Sequence, residues 1–418
     1  MLRVPLFTRK KEIFLAFLVV LFLACYSLVY DYTQYRSFIQ EPLHVSEATV
    51  VNHYQKSNVK GKIYDVFKLK LPNNTTFYTV SWKPVKAEIN EKVKVKFQLE
   101  NLTFLEYLKG FYATSFYIYT LYQDELPTTL KLSSWIAKQH SDADISSLFQ
   151  ALFLATPLSK QLREDVQKWG ISHLVAISGF HLGVLSFILY FLLNPLYRFF
   201  QDRYFPYRNK MADVSVVVFV FLYMYMDLIG FTPSFMRAFV MSVLGFLLFS
   251  RGVKIISFSN LLISAVVLLA LFPSLLFSLS FWFSVAGVFY LFLLLHHFSH
   301  LNRWALLGII DGGVFVLMLP VVHTFFPVFT FLQLTSPISS LVFIVFYPLE
   351  MFLHVIHLGG SLDEALLAFL HVKTQSFTLS FPVWFLAGYI GLSLLAIRFR
   401  AVLFVCLALC LFSLFFIS

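Results

Sequence analysis

Ser178 and His181 lie three residues apart in the apolar stretch HLVAISGFHLG, His173 to Gly183. On a helix that spacing aims hydroxyl and imidazole the same way. Neither is tolerated facing lipid, so a partner helix or a water-filled path is expected beside them. Further along, Asp227 and Arg237 flank the turn GFTPS, with Ser234 inside it. In a helical hairpin they could meet as an ion pair. An arginine at membrane depth costs about 2.5–3.5 kcal/mol on insertion scales, which leaves two readings of Arg237. It contacts an anionic cargo in a wet cavity, or it snorkels to the interface and fixes the turn. Asp311, beside Gly312 and Gly313, is a carboxylate in an apolar run, hence either functional or a hydrogen-bonded packing group. His296 and His300 have the spacing of a metal pair but no carboxylate with them, and are read as interfacial; no metal is expected. No H-x-H-x-D-H, H-E-x-x-H, P-loop or G-x-S-x-G run occurs. No catalytic residue and no cofactor is therefore expected.

The elements that hold these residues are membrane spans. Of 418 residues 59% are hydrophobic and 13% charged, with mean hydropathy +0.76, values that exclude a soluble globule. Roughly nine to eleven apolar runs approach the length of a spanning helix. The formal charge of +10 fits either basic cytoplasmic loops or an anionic client. Cys25, Cys406 and Cys410 all sit in apolar runs and are read as packing.

Arg3, Arg9, Lys10 and Lys11 precede the run Ile13 to Tyr30, which has no A-x-A cleavage site and reads as an uncleaved signal anchor with a cytoplasmic N-terminus. Residues 31–122 are then outside. Their pattern has period two: Lys92, Lys94 and Lys96 alternate with Val93, Val95 and Phe97, and Lys68 and Lys70 with Phe67, Leu69 and Leu71. Pro72-Asn73-Asn74 turns the chain into Tyr78, Val80 and Trp82, making a hairpin. Several short strands in so short an interval suit a small OB-like barrel. Its lysines, with Tyr64, Tyr78 and Trp82, form either a basic, stacking groove for single strands or a solvated face that guards edge strands.

Residues 123–170 read as short amphipathic helices on the membrane surface, with Trp135, Ile136, Leu148, Leu152 and Leu154 at helical spacing. Residues 171–418 form the polytopic remainder. There Ala176, Gly179 and Gly183 are expected on one bare stripe of the motif helix, open to a second helix. Arg198, Arg203, Arg208 and Lys210 form a cytoplasmic loop, as do Arg251 and Lys254. Pro320, Pro327, Pro337 and Pro348 are expected to cut residues 304–357 into broken pieces, one of them re-entrant or doubled. The fold class is a polytopic α-helical membrane protein with an N-terminal signal anchor (1–30) and a small all-β, OB-like extracytoplasmic domain.

The segment ALFLATPLSKQLREDVQKWGISHLVAISGFHLGVL resembles the signature of the bacterial ComEC competence family, and GFTPSFMRAFVM is similar to that family's second line, with Pro233, Ser234, Arg237, Ala238 and Met241 at matching positions. The likeness runs from about residue 13 to 350. Ala155 and Thr156 depart from it, standing where a Gly and usually a polar or charged residue are expected. The resemblance implies a bacterial inner-membrane channel, multi-pass, that passes single-stranded DNA from periplasm to cytoplasm in natural transformation. On it, Ser178, His181, Ser234, Arg237, Asp227, Asp311 and His173 are candidates for the path. It also implies a periplasmic DNA receptor, a cytoplasmic helicase or translocase and, as the chain carries no metallo-β-lactamase-like run, a separate nuclease; a homo-oligomer is compatible with it. The other readings are a carrier of a small anionic solute or lipid, and a non-conducting scaffold of an uptake machine.

Overall fold

The computed structural model describes residues 10–41, 43–57, 62–73, 75–83, 85–121, 127–250 and 257–414. Arg3, Arg9, Asn74, Arg251 and Lys254 lie outside them. Helix α1 spans Lys10–Ile39, followed by strands β1 Leu43–Ser57, β2 Ile63–Lys70, β3 Thr76–Ser81 and β4 Lys92–Gln98. Helix α2 Phe104–Lys109, β5 Phe111–Tyr112 and β6 Thr114–Thr120 complete the β domain. Then come α3 Thr128–Ala137, α4 Ala143–Leu154, α5 Lys160–Lys168, α6 Ser172–Val175, α7 Gly179–Tyr204, α8 Lys210–Leu228, α9 Pro233–Ser250 and α10 Phe258–Leu271. The last part comprises α11 Leu279–Phe298, α12 Arg303–His323, β7 Val328–Phe329, α13 Ser336–Val355, α14 Asp363–Leu370, β8 Phe377–Thr378, α15 Val383–Leu395 and α16 Arg400–Ser413. Among the described residues two compact units result: residues 10–135 with 266–278, and residues 136–265 with 279–414.

In the first unit α1 runs past Tyr30 to Ile39. Its last turns carry Tyr35 and Phe38 at helical spacing, and these rings pack on Tyr107 and Phe111 of the β domain. Burying them gives the helix a reason to continue beyond its apolar run. The sheet has the order β5-β3-β2-β1-β4-β6. Only Ala113 separates β5, which pairs with β3, from β6, which pairs with β4, so a single residue links the two edge strands of the sheet. Val50, Phe67, Leu69, Phe77, Val93, Val95 and Phe97 fill the interior with no exposed surface. The alternation read at Phe67–Leu71 and Val93–Phe97 is thus the buried face of the sheet. Strand β1, with a bulge between Val50 and Asn52, is the one on which β2 and β4 both pair.

The protein is a multi-pass membrane protein. Six of the described helices, α1, α7, α8, α11, α12 and the α13 segment Phe331–Val355, are long and apolar enough to cross a bilayer, and five shorter apolar helices accompany them. The prolines do not cut this region as expected. Pro320 sits in the last turn of α12, and α13 continues through Pro348 with Pro337 in its first turn, where a missing N–H costs nothing. Only the short stretch around Pro327 leaves the helix, and it pairs as β7 with β8. α13 is one continuous helix, neither doubled nor broken.

The apolar face of α4 is buried within the protein. Phe149 stacks on His140 and Phe346, and Phe153 meets Tyr347, so α4 is covered by α13.

Candidate functional site: a buried guanidinium beside a hydroxyl-lined cavity

The motif is not one helix. α6 ends at Val175, Ala176 is extended, and Ser178 is the N-cap from which α7 begins. Ser178 Oγ accepts the Phe180 N–H at 3.3 Å, and His181 Nδ1 accepts the Ser178 N–H at 3.2 Å. Their three-residue spacing thus builds a capping box, with an imidazole in the place usually held by Glu or Gln. His181 is fully buried, edge-on to the Tyr347 ring. Its Nε2 has no hydrogen-bond partner among the described residues. Because Nδ1 accepts, the neutral ring carries its proton on Nε2 and offers a donor to the interior.

The expected stripe is only partly there. Ala176 lies before α7 and is not on it. Gly179 faces α9, where an added Cβ would stand 3.3 Å from the Cβ of Ala238, whereas Gly183 faces open space. A tight helix approach therefore occurs at one glycine of the pair.

The expected ion pair does not form. Asp227 is exposed, while Arg237 is 4% exposed. Arg237 Nε donates to Ser284 Oγ of α11 at 2.8 Å, and its Nη1 lies 2.9 Å from Met241 Sδ. Among the described residues no carboxylate forms an ion pair with it. It does not snorkel either, since the side chain is inside the protein. An uncompensated guanidinium so placed is costly, and the α8–α9 turn alone gives no reason for it.

Ser284 Oγ lies 3.1 Å from Ser234 Oγ, and Ser234 lines a cavity of about 340 Å³. Thr156, Arg163, Ser172, Thr232 and Ser280 also line it, along apolar walls. Thr156 and Thr232 hydroxyls have no partner among the described residues. Ala155, at the start of this wall, has φ 57° and caps α4 in the left-handed conformation that glycine prefers. That conformation explains why the resemblance expects glycine there.

The segment leading to the motif is anchored on the start of α13. Gly170, φ 67°, accepts from Ser336 Oγ at 3.0 Å, and Gln333 Nε2 donates to the Gln167 carbonyl at 3.1 Å. His173 is held here by the Gly170 carbonyl and Ser340 Oγ, away from His181 and Arg237. Asp311 lies on α12, and its Oδ2 is unpartnered among the described residues. The structure therefore joins Ser234 to Arg237 and Ser178 to His181, and leaves Asp227, Asp311 and His173 apart. Sequence reading missed Ser284 and Thr232, and noted Thr156 only as a departure from the family's pattern. Ser284 is remote in sequence from Arg237, and no spacing could link them.

On the β domain, register brings all five candidate lysines to one outer face. Thr49 of β1 sits opposite both Lys70 and Lys92, which places the β2 and β4 lysines in one row system. Lys68 lies opposite Tyr78, its Nζ 5.5 Å from that ring. Tyr112 is next to Tyr78, and Tyr117 and Tyr119 sit opposite Lys96 and Lys94. Tyr64 and Trp82 meet each other at 5.0 Å at the end of β2 and β3. Tyr112, Tyr117 and Tyr119 were missed, although the alternation Tyr117-Ile118-Tyr119 signals a strand with Ile118 inward.

The sequence pattern of the family described as "Competence protein" matches residues 155–418. The chain belongs to the Competence protein family. Relatives matched over shorter stretches are "ComE operon protein 3" of Bacillus subtilis, 34% identical over 129 residues, 30% of this chain and 15% of that protein, and the "Uncharacterized protein MG316 homolog" of Mycoplasma pneumoniae, 31% identical over 160 residues, 38% of each chain. "Uncharacterized protein MG316" of Mycoplasma genitalium is 29% identical over 111 residues, 27% of this chain and 26% of that protein. The chain thus spans well under half of the relatives it matches. No solved structure matches. The matched region begins at Ala155, so it contains the capped motif, Arg237 and most of the cavity lining, and excludes the β domain.

Proposed function

We propose that the protein is the inner-membrane conduit through which single-stranded DNA enters the cytoplasm during natural transformation. The observation that carries this reading is Arg237, a buried guanidinium held by the neutral acceptors Ser284 Oγ and Met241 Sδ and, among the described residues, without a carboxylate. A site built this way has its positive charge uncompensated until an anion arrives, and a phosphodiester is the anion the family context provides. The cavity beside it, lined by Ser234 and by the Thr156 and Thr232 hydroxyls, which have no partner among the described residues, offers hydrogen bonds of the kind a phosphate oxygen accepts. The β domain, OB-like and outside the membrane on this reading, gathers the strand by its lysine face and stacks bases on Tyr78 and its neighbours without reading sequence. The conduit itself carries out no chemistry: a receptor, a motor and a nuclease are separate proteins.

The test is Arg237→Gln in a transformable host. Transformants are lost while the variant still inserts and DNA still reaches the periplasm; normal transformation removes Arg237 from the path. The small cavity also favours a second reading, a carrier of a small anionic solute. That reading requires saturable flux of such a solute and no binding of single strands by the β-domain face at low salt.

A further inference from the structure

Away from Arg237, three segments of the second unit converge on a pair of histidines. His140 lies in the α3–α4 connection, His354 near the end of α13, and Asp363 at the start of α14. The His140 side chain is fully buried, and those of His354 and Asp363 are nearly so. His140 Nδ1 is 2.9 Å from Asp363 Oδ1, and His354 Nδ1 is 2.8 Å from the Glu350 carbonyl oxygen. The two Nε2 atoms face each other at 3.1 Å.

This arrangement fixes a proton count. A carbonyl oxygen only accepts, so His354 Nδ1 carries its proton. An ionised Asp363 only accepts, so His140 Nδ1 carries one too. Each neutral ring has a single N–H, and both would then present bare lone pairs to each other at hydrogen-bond distance. One added proton turns that repulsion into an ordinary N–H···N bond. Placing the proton on Asp363, with His140 turned to its other tautomer, changes its position and not the count.

We propose that His140 and His354 form a proton-binding site, sharing one proton that ties the α3–α4 connection to the end of α13. The other groups facing the pair are few. α13 contributes Glu350, whose Oε2 is 3.5 Å from His354 Nδ1 and whose carboxyl oxygens have no hydrogen-bond partner among the described residues. α14 contributes Asp363. α4 contributes the rings of Phe149 and Phe153, which carry no charge. Gln139 closes the junction, donating to the His354 carbonyl at 3.2 Å and accepting from the Gly359 N–H at 3.1 Å. Gly359 and Gly360 permit that approach: a Cβ on Gly359 would meet His354 at 2.8 Å, and one on Gly360 would meet the Gln139 carbonyl at 2.3 Å.

Nitrogen-15 spectra of the histidines, taken on the full chain in lipid nanodiscs, test the site. They are expected to show one ring of the pair protonated on both nitrogens, or coupling between the two Nε2 atoms, and His354→Gln, whose amide donates to His140, is expected to abolish that coupling. Two neutral, uncoupled rings overturn the proposal. So does stoichiometric Co²⁺ binding with visible bands that vanish in His354→Gln, which would make the bridging species a metal. If His354→Gln does not fold, the spectra of the wild type decide alone.

Discussion

An added Cβ on Gly179 would stand 3.3 Å from the Cβ of Ala238, so the start of α7 and the first turns of α9 touch where one partner is bare backbone. Gly183, one helical turn on, has open space around it. Gly179→Val is therefore expected to destabilise the folded protein by about 1–3 kcal/mol through overpacking. Gly183→Ala is expected to be neutral or to stabilise by up to about 1 kcal/mol, because a helical glycine is replaced by a better helix former. Thermal unfolding of both variants in one detergent checks the contrast.

Ala155 holds φ 57° at the end of α4. A left-handed residue with a Cβ costs about 1–2 kcal/mol, and glycine removes the strain at some cost in unfolded-state entropy. Ala155→Gly is expected to raise stability by roughly 1 kcal/mol. A lower unfolding midpoint would mean that the Ala155 methyl packs better than its conformation suggests.

The lysine face makes a salt prediction. If Lys92, Lys94 and Lys96 touch phosphates, changing any one to Gln weakens binding of all single strands alike and flattens the logarithmic salt dependence by about 0.7 for each lysine replaced. Tyr78→Ala is expected to cost about 1–3 kcal/mol of stacking with little change in that slope. Titration with a fluorescent oligonucleotide at several salt concentrations separates the two effects.

The β domain also carries a pH marker. Thr103 Oγ and its N–H both donate to the Glu106 carboxylate at the start of α2, and these bonds hold the Glu106 carboxyl below its ordinary 4.5. A depressed folded-state value means that the stabilisation is present above the unfolded-state value and lost as pH falls through the folded one. Thr103→Val is expected to lower the unfolding midpoint more near neutral pH than in acid, where only the cap that Thr103 Oγ provides to the Glu106 N–H is lost. An equal loss at both pH values would assign the effect to packing.

Local patterns were legible and long-range partners were not. Alternation at Phe67–Leu71 and Val93–Phe97 located β2 and β4 because one buried face imposes period two. The apolar runs located the spans. The end of α1 was missed because Tyr35 and Phe38 are stabilised by Tyr107 and Phe111, which lie far along the chain. Pro320 and Pro348 were overread as breaks; neighbouring packing tolerates them within helices. At the site, Ser178 and His181 were visible as a pair, yet their spacing serves a helix cap. Asp227 was assigned to Arg237 by nearness in sequence, whereas the partner is Ser284 on another helix. The His140–His354 pair has no sequence signature, since the two rings come from segments separated by most of the second unit.

If the uncompensated Arg237 serves the passage of an anionic strand, the most direct test is current through the purified full chain in a planar bilayer, with single-stranded oligonucleotide added on the β-domain side. The wild type is expected to conduct and to be transiently blocked by the oligonucleotide, with blocks that Arg237→Lys retains and Arg237→Gln loses. A bilayer with no current, or blocks of equal frequency and duration in wild type and Arg237→Gln, would contradict it.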